Sequence, residues 1–143
     1  MTEVQPGVAI KYTAGEDASD VLNKCVIYGT EEDEVLIGSA GDTKFAGVII
    51  AVTGARSEST AIGTIAMEDG DNITVVNDGI LEVVADGSIS YGDALKLADD
   101  GAVSALTSVD VSGSSTDVMY MMGRAQEDAD DGDTFKALIF ARK

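Results

Sequence analysis

Residues 68–97, EDGDNITVVNDGILEVVADGSISYGDALKL, leave this chain few ways to fold. Short runs of Ile, Val and Leu are cut by Asn-Asp-Gly, Asp-Gly and Tyr-Gly-Asp. Each cut has a physical cause. Glycine accepts positive φ without a Cβ clash, and Asn and Asp side chains hydrogen-bond their own backbone just downstream. The chain must therefore reverse several times within this stretch. Residues 73–76 and 80–85, joined across Asn77-Asp78-Gly79, are expected to form a β-hairpin, and residues 94–97 a further strand. The scaffold this defines is antiparallel β.

The flanking sequence continues the pattern. Residues 1–12 read as an extended arm broken at Pro6-Gly7. Residues 15–20 are an acidic connector, and 21–28 a strand, unless Ser19 or Asp20 caps one short helical turn. A short strand is expected at 35–37. The run FAGVIIAVT at 45–53 lacks alternation, which suits a strand buried on both faces. Residues 61–67 and 102–106 read as strands, 109–117 as a loop carrying Ser-Gly-Ser-Ser, and TFKALIFARK as the closing strand. With 143 residues the chain fits one domain, and with aromatics at 5% and no Trp its core must be aliphatic. The expected fold is mainly β, a compact antiparallel barrel or sandwich at 15–143 with an extended N-terminal arm at 1–14.

A weak echo runs through the chain. Gly70-Asp71, Gly92-Asp93 and Gly132-Asp133 each precede any one residue, then an apolar residue, then one able to face water. A tight turn dropping directly into a strand explains the pattern, and a duplicated unit explains it equally well.

The charge balance excludes several functions. Nine Lys and Arg stand against 26 Asp and Glu, a net charge of −17. Nucleic acid is a poor partner, because binding it depends on Lys and Arg displacing counterions, and an anionic membrane surface is a poor partner on the same ground. Two readings of the acidity stay open: life in high salt, where about 1 M salt cuts the Debye length to about 3 Å, or docking on a basic partner. The longest apolar run, residues 46–52, is far too short to span a bilayer, and residues 1–12 do not read as a secretory signal.

Catalytic chemistry finds little to work with. The chain has no His and one Cys, so a His-ligated zinc site, a thiolate cluster and a Ser-His-Asp triad are all excluded. Cys25 sits in the apolar stretch VLNKCVIY and reads as a buried, inert thiol. The acidic turn at 128–133 has the look of a calcium loop, but its twelfth position is Ile139, where an EF-hand needs a bidentate Glu. Carboxylate pairs such as Asp69 with Asp71 fall on turns, and no Gly-rich loop leads into Lys and Ser or Thr. Neither a cofactor nor a metal is expected, and no enzyme.

Taken in order, FAGVIIAV, then GDNITVVNDGILEVVADGSISYGDALKLADDGAV, then MGRAQEDADDGDTFKALIF resemble the capsid decoration, or cement, proteins of tailed viruses. The shared features fall at Gly47-Val48, Gly70-Asp71, Gly79-Ile80, Gly92-Asp93, Gly123-Arg124-Ala125 and Gly132-Asp133, across about two-thirds of the chain. The resemblance implies a non-enzymatic β-rich body that trimerises on the outer surface of the virion and clamps neighbouring subunits of the major capsid protein. Two departures stand out: the extreme acidity, which points to a virus of a halophilic archaeon, and the long Met-rich stretch VSGSSTDVMYMM.

Two sets of residues follow as candidates. Val4, Pro6, Val8 and Ile10 would make the arm that contacts the capsid, by adding a strand to an exposed edge. Met119, Tyr120, Met121 and Met122 would supply the subunit interface: alternation sets Met119 with Met121 and Tyr120 with Met122, one pair in the core and the other on a neighbour. A β-sandwich adhesion or glycan-binding module is the competing reading, weakened by the absence of Trp. A trimeric β-barrel enzyme of nucleotide metabolism lacks the basic residues that phosphates require.

Overall fold

The structure is a computed structural model and describes residues 5–6, 9–41, 44–53, 65–106 and 121–140. Its strands are β1 (Gln5–Pro6), β2 (Ala9–Ala14), β3 (Cys25–Tyr28), β4 (Glu34–Ile37), β5 (Phe45–Thr53), β6 (Asn72–Val76), β7 (Asp78–Val84), β8 (Ala94–Leu97), β9 (Val103–Ala105), β10 (Gly123–Ala125) and β11 (Thr134–Phe140), with one 3-10 turn at Asp99–Gly101. Strands β2-β4-β3-β5-β6 close into a barrel, and β1-β7-β11-β10-β8-β9 form a six-stranded sheet. The strand pairings are antiparallel except β2 with β4, which is parallel.

The non-alternating run 45–53 explains how the two sheets meet. Its first five residues, Phe45 to Ile49, are all buried. Ile49 turns into the barrel with Val26, Val35, Ile73 and Val75. Val48 turns outward with Cys25 and Val76 and packs against Leu81, Phe135 and Ile139 of the other sheet. The first half of the strand therefore lies between two cores and has no face for polar residues, whereas Ile50, Ala51 and Thr53 beyond it are exposed, so the run is not buried on both faces to its end. Gly47 makes the passage possible. Its φ is 149°, and a Cβ there would lie 2.5 Å from Val75 Cγ1 and 2.6 Å from the Val76 carbonyl, so any side chain would force the β5–β6 pair apart.

The expected hairpin across Asn77-Asp78-Gly79 does not form. β6 pairs with β2 and β5 in the barrel, while β7 pairs with β11 and β1 in the sheet. Only Asn77 separates them, and Gly79 takes φ 116°, so the chain bends from one sheet into the other instead of folding back. A hairpin would have paired Ile73 to Val76 with Ile80 to Ala85; each finds a longer partner elsewhere. Strand β3 is also shorter than the expected 21–28, because Asp20 and Asn23 adopt φ of 52° and 67° and turn the chain before Cys25.

The N-terminal stretch divides in two. Gln5 and Pro6 pair with Ile80 and Gly79 at the edge of the sheet, where a residue without an N–H is tolerated. Ala9–Ala14, which the sequence placed within an arm, is a barrel strand paired with β6 from Ala9↔Val76 to Thr13↔Asn72. Residues 61–64 of the strand expected at 61–67 lie outside the described residues, and Met67 makes a two-way bridge with Ala18.

A polar seam ties the sheet to the barrel. The Lys24 stem is packed and its ammonium emerges to meet Asp100, with Nζ 3.0 Å from both the Asp100 carbonyl and Oδ2. The Gly101 N–H donates to the Gly38 carbonyl at 2.9 Å and the Ala40 N–H to Asp99 Oδ1 at 3.1 Å. Because the Asp100 carboxylate is largely exposed, the ion pair contributes about 1 kcal/mol or less, and the backbone bonds do the positioning.

Candidate functional site

The three Gly-Asp steps are one turn used three times. Gly70, Gly92 and Gly132 take φ of 96°, 87° and 86°, a conformation that glycine adopts without strain. In each, the following Asp carboxylate accepts the N–H three residues back: Glu68 to Asp71 at 2.8 Å, Ser90 to Asp93 at 2.9 Å and Asp130 to Asp133 at 3.1 Å. Each turn is docked in the same way onto an alanine at, or one residue past, the end of a strand. Gly70 N–H donates to the Ala14 carbonyl, Gly92 to Ala125 and Gly132 to Ala85, while the alanine N–H donates back to the carbonyl of Asp71, Asp93 or Asp133. The second and third turns are further joined to each other by two-way bonds between Ile89 and Ala129.

Other carboxylates serve the backbone as well. Asp17, Asp128 and Asp131 accept from the N–H groups of Asp69, Tyr91 and Gly87, and Glu16 and Glu127 from those of Ile37 and Lys136. Part of the acidity is thus loop architecture. Three of the four carboxylates of 128–133, those of Asp128, Asp131 and Asp133, are turned toward three separate amides, and among the described residues no group of three or more His, Cys, Asp or Glu is set to hold a metal. Replacing Asp93 by Ala is expected to cost about 1 kcal/mol, the net value of one such bond, while Asp93→Asn, which keeps an acceptor oxygen, should cost less than half of that. Urea unfolding of the two variants measures the difference; equal losses would mean that the charge matters and the bond does not.

Among the described residues, surfaces available to a partner are few. Tyr91 is 71% exposed at the tip of the second Gly-Asp turn, and Ile50, Tyr28 and Leu138 are the other exposed large apolar residues. Tyr28 stands edge-on to Tyr12 at 6.1 Å between ring centroids. Burial, then the hydrogen bond with Tyr28, then nearby negative charge push the Tyr12 hydroxyl up to about 12, so Tyr12 stays neutral well into the alkaline range. Cys25 is fully buried and free, and burial pushes its thiol up, away from the reactive thiolate.

The sequence candidates are dispersed. Val4, Val8, Met119 and Tyr120 lie outside the described residues. Ile10 is half-buried in β2 opposite Val75. Met121 is half-buried, and Met122 is 2% exposed within the core of the six-stranded sheet, its N–H bonded to the Leu95 carbonyl. Met122 is therefore occupied inside its own chain, leaving it no surface for a neighbour. Sequence reasoning passed over Leu138 and Tyr91. The signal for Leu138 was present: in TFKALIF the alternation that buries Phe135, Ala137 and Ile139 puts Leu138 on the other face with Lys136.

No family model matches this chain, and neither does any curated protein. Among solved structures it is similar to the head fiber gp8.5 N base of bacteriophage phi29, with a TM-score of 0.56 and 19% identity over 95% of this chain and 96% of that one. The barrel joined to a six-stranded sheet is thus a fold shared from end to end with that base. At this identity the likeness is one of fold.

Proposed function

We propose that the chain is a structural protein of a tailed-virus head, which binds the outer surface of the capsid as a homotrimer and stabilises contacts between major capsid protein subunits. The observation that carries this reading is the likeness of fold over nearly the whole of both chains to a phage head fiber base. The sequence resemblance to cement proteins rests on separate grounds, the order of turns and strands, and points the same way. Physically the role needs no catalytic group: a protein that binds only the assembled shell stabilises it by mass action. The many carboxylates fit a virus of a halophile, since molar salt screens their mutual repulsion.

Mixing the purified protein with undecorated capsids and reconstructing the particles tests the proposal. Density is expected on the capsid exterior at threefold positions, with a higher temperature of capsid disruption. Capsids left bare at saturating protein would count against the reading, and binding to host cells in the same preparation would favour the adhesion module.

A further inference from the structure

The outward face of the six-stranded sheet differs from the rest of the molecule. Of the six cations among the described residues, Lys96, Arg124 and Lys136 all lie on it, with only Asp78 and Glu82 as carboxylates among its strand residues. The register aligns them around an apolar centre. Leu138 is flanked directly by Arg124 on one side and Ile80 on the other, and the next row along pairs Lys136 with Glu82. Leu138 is 39% exposed. Elsewhere the chain is overwhelmingly acidic, with 26 Asp and Glu against nine Lys and Arg in all.

We infer that this face docks a second copy of the chain, which presents an acidic part of its surface to Lys96, Arg124 and Lys136 while covering Leu138 and Ile80. The occupant is chosen by charge complementarity: the face wants an acidic protein surface, and most of this chain's own surface is one. The same argument sets the symmetry. A face-to-face pair would bring three cations against three, whereas contact between this face and a different, acidic region of the neighbour matches opposite signs. Such head-to-tail contacts close into a ring when each step rotates by a whole fraction of a turn, a third for a trimer, and do not make twofold dimers. The inference deepens the homotrimer of the proposed function by naming the surface that makes it.

Sedimentation velocity in molar salt, where repulsion between whole chains is screened, tests it with paired variants. Leu138→Glu and Ile50→Glu add the same charge at two exposed aliphatic positions, the second on the barrel at 43% exposure. Wild type and Ile50→Glu are expected to associate alike, and Leu138→Glu at least about tenfold more weakly, a loss of about 1.4 kcal/mol, with an unchanged melting curve at concentrations low enough for all three to be monomeric. Leu138→Gln should weaken association too, and serves if Leu138→Glu does not fold. Equal loss in both Glu variants, undiminished association of the Leu138 variants, or a wild-type chain that stays monomeric at every salt concentration would overturn the inference. A wild-type chain that associates through Leu138 yet leaves capsids bare would uphold this face and remove the capsid reading alone.

Discussion

Replacing Phe135 by alanine is expected to cost about 3–5 kcal/mol, the range for deleting a buried phenyl ring without full collapse of the site. Phe135 heads the fully buried side chains by size and is 1% exposed, on β11 directly opposite Val83. Around it stand Leu81, Leu95, Val103, Met122 and Ile139, the core that glues the sheet to Val48 and Val76 of the barrel. In a chain with three Phe and no Trp, neighbours this short have little reach with which to fill the gap. Against a typical total stability of about 5–15 kcal/mol, the loss consumes about a fifth or more. Phe140, on the outward side of the same strand and half-buried, is the control: its alanine variant should cost clearly less, about 1–2 kcal/mol. Urea unfolding followed by circular dichroism measures both, and a Phe135→Ala loss no larger than that of Phe140→Ala would show that this core does not hold the sheet.

How far the sequence discloses this fold depends on whether the deciding interaction is local. The first half of strand β5 was readable because its apolar neighbours along the chain report burial, which holds from Phe45 to Ile49; the equally apolar Ile50 and Ala51 are exposed, because the second core does not extend that far. The Gly-Asp turns were readable for the same reason, since the carboxylate and the amide it accepts are three residues apart. The choice between a generic turn and a repeated unit was not readable. What makes the three alike is the alanine onto which each docks, and Ala14, Ala125 and Ala85 are remote from Gly70, Gly92 and Gly132 in sequence.

The bend at Asn77 escaped for a related reason. Asn-Asp-Gly is a strong hairpin signal, yet turn chemistry states only that the chain can reverse, and competition for partners decides whether it does. Here β7 gains seven paired residues on β11, from Thr134↔Val84 to Phe140↔Asp78, where the expected hairpin offered β6 with its five residues. The Met-rich segment illustrates the complementary limit. Alternation says which residues share a face but not which face is inside, so Met122 could be assigned to core or interface until its neighbours Leu95 and Phe140 were placed.

Removing residues 1–8 is expected to leave the protein folded and to reduce its occupancy on capsids by about tenfold or more, a loss of about 1.4 kcal/mol or greater in binding. The cut is set by the strands. It takes away β1, a two-residue edge pairing at Ile80 and Gly79, and stops before Ala9, where the barrel begins. A deletion through residue 10 would also remove the partners of Val76 and Val75, opening the barrel between β2 and β6 and confusing a docking defect with unfolding. Stretched along a capsid, Val4, Pro6 and Val8 can add main-chain bonds and apolar contacts to an exposed strand edge. On the free protein two edge pairs offset little of the backbone ordering cost of roughly 1–2 kcal/mol per residue. The contacts that matter would then exist only in the complex, so the melting temperature of the truncated chain should match that of the intact one while its occupancy, counted from reconstructed particles at equal concentrations, falls. Undiminished decoration by the truncated chain would assign docking to the body of the protein; a lowered melting temperature in the same measurement would show that β1 stabilises the sheet and that the arm is part of the fold.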